Sequence, residues 1–257
     1  MQIKDKNSLN IYYKTHGEGE PIFLLHHGFG TTRIWNIIYP KLIEKGYQVV
    51  LFDRRGYGQS EFDSTFLDYY RSDQYRPGSV DEVESIRLSL GLEKINIIGQ
   101  CEGGVVAIDY AVKYPQHTKS LVISSTLCRS HVPMEELNST FFPKVFKDKH
   151  PLYQDKFMQW HSPEKAEIFY NQFRKYGGCY GRGYFDIRSE LPKIKSPVLI
   201  LYPDRSSLFE VEQAIDFYRN IKIGELAVLP DCGHNTYDEQ PEEYARYALD
   251  FFKKHTS

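Results

Sequence analysis

The stretch that most constrains this chain is residues 96–105, which read Asn-Ile-Ile-Gly-Gln-Cys-Glu-Gly-Gly-Val. An apolar run precedes the glycines, and a helix-patterned segment at 105–114 follows at once. Strand, tight turn and helix in this order are the setting in which Gly-x-nucleophile-x-Gly exposes a reactive side chain. Gly99 and Gly103 remove the side chains that would collide where the strand folds back beneath its own helix. Cys101 lies between them and is therefore a candidate nucleophile, at a position where serine is commoner. Alternatively, Cys101 is a small buried residue with no role in catalysis.

Length and charge limit the classes of function. The chain has 257 residues, with 32 Lys plus Arg against 34 Asp plus Glu and a net charge of −2, so a basic nucleic-acid footprint is absent. We expect a small-molecule partner, and a homodimer is one possible assembly. The start lacks the apolar segment of a signal peptide, and no run approaches the roughly 18 apolar residues of a membrane span. We therefore expect a cytoplasmic protein with no membrane partner.

Apolar runs and helical patterns alternate along most of the chain. Strands are predicted at 8–15, 22–25, 48–52, 95–98, 120–124, 197–201 and 225–229, and helices at 31–44, 80–90, 210–220 and 242–254. This alternation predicts βαβ units and a mostly parallel sheet, with ligands beyond the carboxyl ends of the strands. From 127 to 191 the strand pattern gives way to aromatic and charged residues. We interpret 1–126 and 192–257 as two parts of one α/β core and 127–191 as a mostly helical cap.

Four features in a fixed order resemble the α/β-hydrolase fold superfamily over essentially the whole chain. They are His27-Gly28-Phe29-Gly30 after an early strand, Asp53-x-x-Gly56-x-Gly58-x-Ser60 after the next, the turn around Cys101, and Gly233-His234 before the last helix. The resemblance implies an α/β fold with a mostly parallel eight-stranded sheet, helices on both faces and a helical cap insertion. The charges of the Asp53 stretch are expected to support the turn beneath the site.

The resemblance also implies roles for individual residues. Cys101 would attack a carbonyl carbon as a thiolate, with its pKa lowered by the helix that begins at Glu102 and by an imidazole. His234 would be that imidazole, taking the thiol proton and later activating water. The backbone N–H groups of Phe29 and Glu102 would form the oxyanion hole. The carboxylate of Glu102 is expected to be solvated or to cap the helix.

Metal and cofactor sites are not expected. His26 and His27 are adjacent, so their side chains point apart, and no third ligand is in view. The four cysteines are far apart and show no C-x-x-C spacing, which argues against a zinc knuckle or a dense disulfide framework and fits a reducing compartment.

The third triad position departs from the family's pattern. The family has an acid after the strand at 197–201, and the matching register here places Ser206. Asp204 lies two residues before Ser206 and Glu210 lies four residues after it. The family's other position for the acid, after the strand that ends near Ser124, has no carboxylate in this sequence. A thiol ionises more readily than a hydroxyl and depends less on an orienting acid. We therefore predict a Cys101/His234 dyad, with Asp204 as the third member or Ser206 in its place.

The cysteine favours activated acyl substrates, because a thiolate leaves a tetrahedral intermediate more easily than an alkoxide does. We predict a hydrolase of an activated carboxylic ester, lactone or thioester through an acyl-cysteine. Dienelactone hydrolases share the G-x-C-x-G turn, although they usually lack a long cap. Cap aromatics suggest either a bulky group on the substrate or simple packing, and Arg129, His131 and Arg174 could bind a carboxylate.

Two other functions stay open at this stage. One is a carbon–carbon bond hydrolase or lyase of the same fold, in which His234 and the oxyanion hole handle an enolate and Cys101 is secondary. The other is a non-catalytic ligand-binding homologue, which the missing acid makes credible.

Overall fold

The structure is a computed structural model that describes residues 1–5, 8–149 and 151–255. Within these residues one sheet has eight strands in the order β1-β2-β4-β3-β5-β6-β7-β8. β1 pairs with β2 and β2 with β4 antiparallel, and the remaining neighbours are parallel, which confirms the predicted sheet. The strands are β1 Gln2–Lys4, β2 Asn10–His16, β3 Glu20–Leu25, β4 Tyr47–Phe52, β5 Ile95–Gln100, β6 Thr118–Ser124, β7 Val198–Pro203 and β8 Gly224–Leu229.

Helices connect the parallel strands. The α-helices of the described ranges are α1 Tyr39–Ile43, α2 Phe66–Arg71, α3 Tyr75–Ser89, α4 Glu102–Lys113, α5 Met134–Phe141, α6 Pro151–Trp160, α7 Pro163–Tyr176, α8 Glu212–Asn220, α9 Thr236–Glu239 and α10 Pro241–His255. Short 3-10 helices lie at Thr32–Trp35, Phe146–Asp148, Gly178–Tyr180 and Leu191–Lys193. Among these described helices, none is both long and apolar enough to span a bilayer.

Both faces of the sheet are buried. Successive residues of a strand point to opposite sides of the sheet, and each side packs against its own core. In β3, Ile22 and Leu24 belong to a core with side chains of α1 and α10. Phe23 and Leu25 belong to the opposite core, which includes side chains of α3, α4 and α8. The central strands are therefore mostly apolar, and the polar groups that follow them collect at the carboxyl edge of the sheet.

The insertion between β6 and β7 carries α5, α6 and α7 over that edge. Its aromatic rings pack around Phe29 of the core, whose ring centroid lies 4.4 Å from that of Phe173 and 4.7 Å from that of Phe157. Phe169 and Tyr170 are fully buried. Packing therefore accounts for much of the aromatic content of the insertion.

Candidate active site

Cys101 sits at a sharp turn between β5 and α4. Its backbone has φ 52° and ψ −115°, a positive φ that is strained for a residue with a side chain, and its N–H donates to the Ser124 carbonyl at 2.7 Å. A Cβ on Gly99 would lie 2.4 Å from the Gly103 carbonyl oxygen, and one on Gly103 would lie 2.3 Å from the Leu25 carbonyl oxygen. The two glycines thus permit the strand, turn and helix to pack, and Cys101 projects from the turn.

His234 follows β8 in a loop that reaches the same edge. Its backbone carbonyl accepts a hydrogen bond from the Gln100 amide at 2.8 Å, which ties the loop to the residue before the nucleophile candidate. Its ring Nδ1 lies 3.1 Å from the Ser206 hydroxyl, and the Phe209 ring packs edge-on at 5.4 Å. The structure therefore brings Cys101 and His234 to one cavity, with Ser206 beside the imidazole.

Asp204 lies in the same loop as Ser206 but points elsewhere. One carboxylate oxygen of Asp204 accepts the Cys232 N–H at 3.1 Å, and another lies 3.8 Å from the Arg205 guanidinium. Among the described residues no hydrogen bond joins Asp204 to His234. The geometry thus corrects the expectation for Asp204: its carboxylate is used to hold the His234 loop, and Ser206 occupies the position that faces Nδ1.

The loop after β3 carries the Phe29 amide. In this structure the Phe29 N–H donates to His27 Nδ1 at 3.2 Å, and His27 Nε2 lies 3.1 Å from the Tyr237 hydroxyl. A substrate oxygen that bound the Phe29 N–H would have to replace the His27 contact, which is long for a hydrogen bond. Glu102 is the first residue of α4, where backbone N–H groups lack partners within the helix.

A cavity of about 110 Å³ lies between this edge and the insertion, and Cys101, His234 and Phe29 line it. Its walls are mainly aromatic, with rings from Phe141, Phe142, Phe157, Trp160 and Phe173. The cations that reach it are Lys149 and Lys156. Lys156 pairs with Asp238 at 2.5 Å.

Lys149 has a different environment from Lys156. Its ammonium lies 4.7 Å from the Phe142 ring and donates to the Phe141 carbonyl at 3.3 Å. Among the described residues it has no carboxylate partner, and burial lowers its pKa. The Lys149 ammonium is thus a cation held by aromatic faces at the edge of an apolar cavity.

The three basic side chains considered from sequence lie elsewhere. Arg129 pairs with Asp216 at 2.6 Å, His131 faces Glu210 at 3.3 Å, and Arg174 donates to the Phe142 carbonyl. None of the three is among the described residues that line the cavity, so the arrangement does not support the expectation that they bind a substrate carboxylate.

Comparison with known proteins agrees with this fold. A family model described as alpha/beta hydrolase fold matches residues 21–164, more than half of the chain. The chain belongs to the α/β-hydrolase family.

Several curated relatives match this α/β hydrolase nearly end to end. A 2-hydroxy-6-oxo-6-phenylhexa-2,4-dienoate hydrolase from Comamonas testosteroni is 24% identical, over 98% of this chain and 94% of the relative. A proline iminopeptidase from Lactobacillus helveticus is 25% identical, over 95% of this chain and 94% of the relative. Among solved structures, a thermophilic esterase from Thermogutta terrifontis superposes with a TM-score of 0.80 at 20% identity, covering 100% of this chain and 99% of that one. At that identity the superposition shows the fold.

The thiol of this α/β hydrolase is held in its neutral form. Burial raises the pKa of Cys101 to about 12, the Tyr180 hydroxyl at 3.5 Å lowers it, and the Glu102 carboxylate raises it further. Burial also lowers the pKa of His234 to about 4. The prediction of a lowered thiol pKa is therefore wrong, because desolvation outweighs the helix N-terminus. At neutral pH the site holds a thiol and a neutral imidazole.

Glu102 is neither solvated nor a helix cap. Its carboxylate is fully buried, pairs with Arg54 at 2.9 Å and accepts the Cys179 N–H at 2.6 Å. The earlier expectation for this side chain is wrong because Arg54 and the Gly178–Tyr180 helix close over it. This buried ion pair joins the loop after β4, the start of α4 and the insertion.

Some residues of the site carried no recognisable pattern in the sequence. Tyr180 reaches Cys101 from the insertion, and the cavity lysines lie in a stretch of ordinary charge density. Gln100 and Thr236 support the His234 loop, with a hydrogen bond of 3.2 Å between their side chains. The described residues contain no cluster of three or more His, Cys, Asp or Glu side chains placed to hold a metal ion.

Proposed function

We propose that this chain is a hydrolase that cleaves an activated acyl compound through an acyl-cysteine at Cys101. The observation that carries the proposal is the strained backbone of Cys101 at the β5–α4 turn, which presents its thiol to a cavity shared with His234. The family membership supports a hydrolytic reaction at this position. The substrate is a small molecule.

The reaction would proceed in two stages. As Cys101 Sγ bonds to the carbonyl carbon, its proton passes to His234 Nε2 and the carbonyl electron pair moves to oxygen. The N–H groups of Phe29 and Glu102 would stabilise that oxyanion, the Phe29 N–H after leaving His27. The intermediate then collapses, and the leaving group departs with the proton from His234. Water attacks the thioester, His234 takes its proton, and the acid leaves as the thiol forms again.

The resting protonation states favour reactive acyl groups. A thiol with a pKa of about 12 beside an imidazole with a pKa of about 4 holds very little thiolate, so proton transfer must accompany attack. Aryl esters, enol lactones and thioesters compensate because their leaving groups depart readily. The aromatic cavity walls and the Lys149 ammonium favour an apolar or aromatic substrate that also carries an anionic group.

A second candidate is hydrolysis of a carbon–carbon bond. The relatives from Comamonas testosteroni include hydrolases of 2-hydroxy-6-oxo-6-phenylhexa-2,4-dienoate and of 2-hydroxy-6-oxononadienedioate. A phenyl group and a carboxylate would suit the aromatic walls and Lys149. In this reaction His234 and the oxyanion hole would act on an enolate, and Cys101 would be secondary.

A time course with p-nitrophenyl acetate under reducing conditions tests the first proposal. Wild type and Cys101→Ala are compared, with intact-mass detection of the acetylated protein. We expect turnover and a mass increase of one acetyl group in wild type, both abolished in Cys101→Ala. Cys128→Ala is the control, because that buried cysteine is packed away from the cavity. Acetylation without turnover would favour the non-catalytic ligand-binding alternative.

A parallel assay with 2-hydroxy-6-oxo-6-phenylhexa-2,4-dienoate separates the two reactions. Cleavage that persists in Cys101→Ala and is lost in His234→Gln would favour the carbon–carbon reaction. Absence of both acetylation and cleavage in wild type would contradict both enzymatic proposals.

A further inference from the structure

The Ser206 hydroxyl makes three hydrogen bonds that together fix where its proton points. Its oxygen accepts the backbone N–H groups of Leu208 and Phe209, each at 3.2 Å, and lies 3.1 Å from His234 Nδ1. A serine hydroxyl has one proton to donate and two lone pairs that accept. Two backbone donors occupy both lone pairs, so the hydroxyl proton is left for the contact with Nδ1.

This arrangement determines the tautomer of the imidazole. A nitrogen that accepts a hydrogen bond cannot carry a proton, and a neutral imidazole has one ring proton. We propose that Ser206 is a positioning residue that holds the resting His234 with its proton on Nε2 and its lone pair on Nδ1. The ring is neutral because burial keeps its pKa far below 7. His234 then offers the cavity a hydrogen-bond donor where a general base would offer a lone pair.

The consequence for reactivity rests on the proposed function, in which the Cys101 proton moves to Nε2. That transfer requires an unprotonated Nε2, so the imidazole must first change to the tautomer with its proton on Nδ1. With Nδ1 protonated, the Ser206 oxygen would face three donors while its own proton lost its acceptor. Ser206 thus disfavours the reactive tautomer.

A carboxylate at position 206 would have the opposite preference. It has no proton of its own, and its two oxygens can accept Nδ1–H together with the N–H groups of Leu208 and Phe209. Ser206→Asp should therefore stabilise the reactive tautomer. Ser206→Asn is the matched control: its amide oxygen can accept the backbone N–H groups while its amide N–H donates to Nδ1, as the serine does.

The tautomer can be read by NMR without any substrate. Long-range proton–nitrogen correlations on protein labelled with ¹⁵N-histidine distinguish the two ring nitrogens, and His234→Gln assigns the signal by its loss. We expect Nε2–H in wild type and in Ser206→Asn, and Nδ1–H in Ser206→Asp. A wild-type spectrum with the proton on Nδ1 would overturn the proposal, whatever the activity. The ring proton is located in wild type, and a folded variant is needed only to assign the His234 signal.

The rate of Cys101 acetylation by p-nitrophenyl acetate measures the consequence. We expect Ser206→Asp to be acetylated roughly a hundredfold faster than the matched Ser206→Asn, the lower range of what a positioned general base contributes. A reversed tautomer without faster acetylation would overturn the link to reactivity. If no variant is acetylated but wild type shows Nε2–H, the proposed function fails and the role of Ser206 stands.

Discussion

At the scale of single residues, we expect loss of the buried Glu102 carboxylate to lower the stability of the fold strongly. It is fully buried against Arg54, and an uncompensated buried charge typically costs about 3–5 kcal/mol. Glu102→Gln retains an acceptor for the Cys179 N–H but leaves the Arg54 charge without its counterion. We expect the free energy of unfolding, measured in urea, to fall by about that amount.

An exposed ion pair provides the control for that measurement. Glu243 pairs with Arg246 at 2.5 Å on the outer surface of α10, where both side chains are about half exposed. Exposed pairs contribute little, because water screens them. We expect Glu243→Gln to keep the wild-type urea midpoint, and equal losses in the two variants would contradict the importance of burial.

At the scale of elements, the β5–α4 turn depends on backbone contacts that leave no room for a side chain. A Cβ on Gly103 would lie 2.3 Å from the Leu25 carbonyl oxygen, so β3 and α4 would have to separate. We expect Gly103→Ala to lower the free energy of unfolding by about 1–3 kcal/mol, as overpacking does, and to slow Cys101 acetylation.

Gly183→Ala is the matched control for the turn. Within the described part of the chain, no atom other than those of Gly183 and its two chain neighbours lies within 4 Å of a Cβ built at Gly183. We expect wild-type unfolding and acetylation in this variant. A stable Gly103→Ala variant that reacts at the wild-type rate would show that the turn still functions when β3 and α4 move apart.

The elements themselves could be predicted where the pattern is local. The central strands and α3, α4, α8 and α10 lie within a few residues of their predicted places, because apolar runs and helical periodicity act over short distances. The single helix predicted at 31–44 is instead a 3-10 helix, Thr32–Trp35, followed by α1, Tyr39–Ile43. Pro40 lacks the N–H that a continuous helix would need there. β1 was not predicted, because its three residues form a strand only by pairing with β2.

At the scale of the whole molecule, the order of motifs along the chain was enough to bring Cys101 and His234 to one cavity. The direction of the Asp204 side chain was not predictable, because it depends on the Cys232 amide, which arrives from the loop after β8. The thiol pKa was not predictable either. Its raised value depends on how completely the insertion covers Cys101, and burial of that kind is a property of the assembled fold.

Burial of histidines gives the whole molecule a pH dependence. Burial lowers the pKa of His27 to about 3 and those of His161 and His234 to about 4, against 6.5 for an ordinary histidine, and also lowers that of His26. Below pH 6.5 the unfolded chain therefore binds protons that the folded chain excludes, and stability is lost as the pH falls towards 4. Glu82 and Asp53 oppose this trend, because burial raises the pKa of Glu82 to about 7 and also raises the pKa of Asp53, and protonation of either carboxylate favours the folded state. The four buried histidines outnumber these two acids.

We expect the urea midpoint to fall steeply between about pH 6.5 and about pH 4.5, since each unit of pKa shift corresponds to about 1.4 kcal/mol and several groups act together. His161→Gln should reduce the slope, because its amide can still donate to the Phe29 carbonyl that His161 Nε2 contacts at 2.9 Å, yet it does not titrate. Both proteins are followed by far-UV circular dichroism across the same urea series at each pH. A wild-type midpoint that stays level or rises on acidification would mean that Glu82 or other acids dominate the pH dependence. An unchanged slope in His161→Gln would mean that His161 does not contribute to the pH dependence of stability.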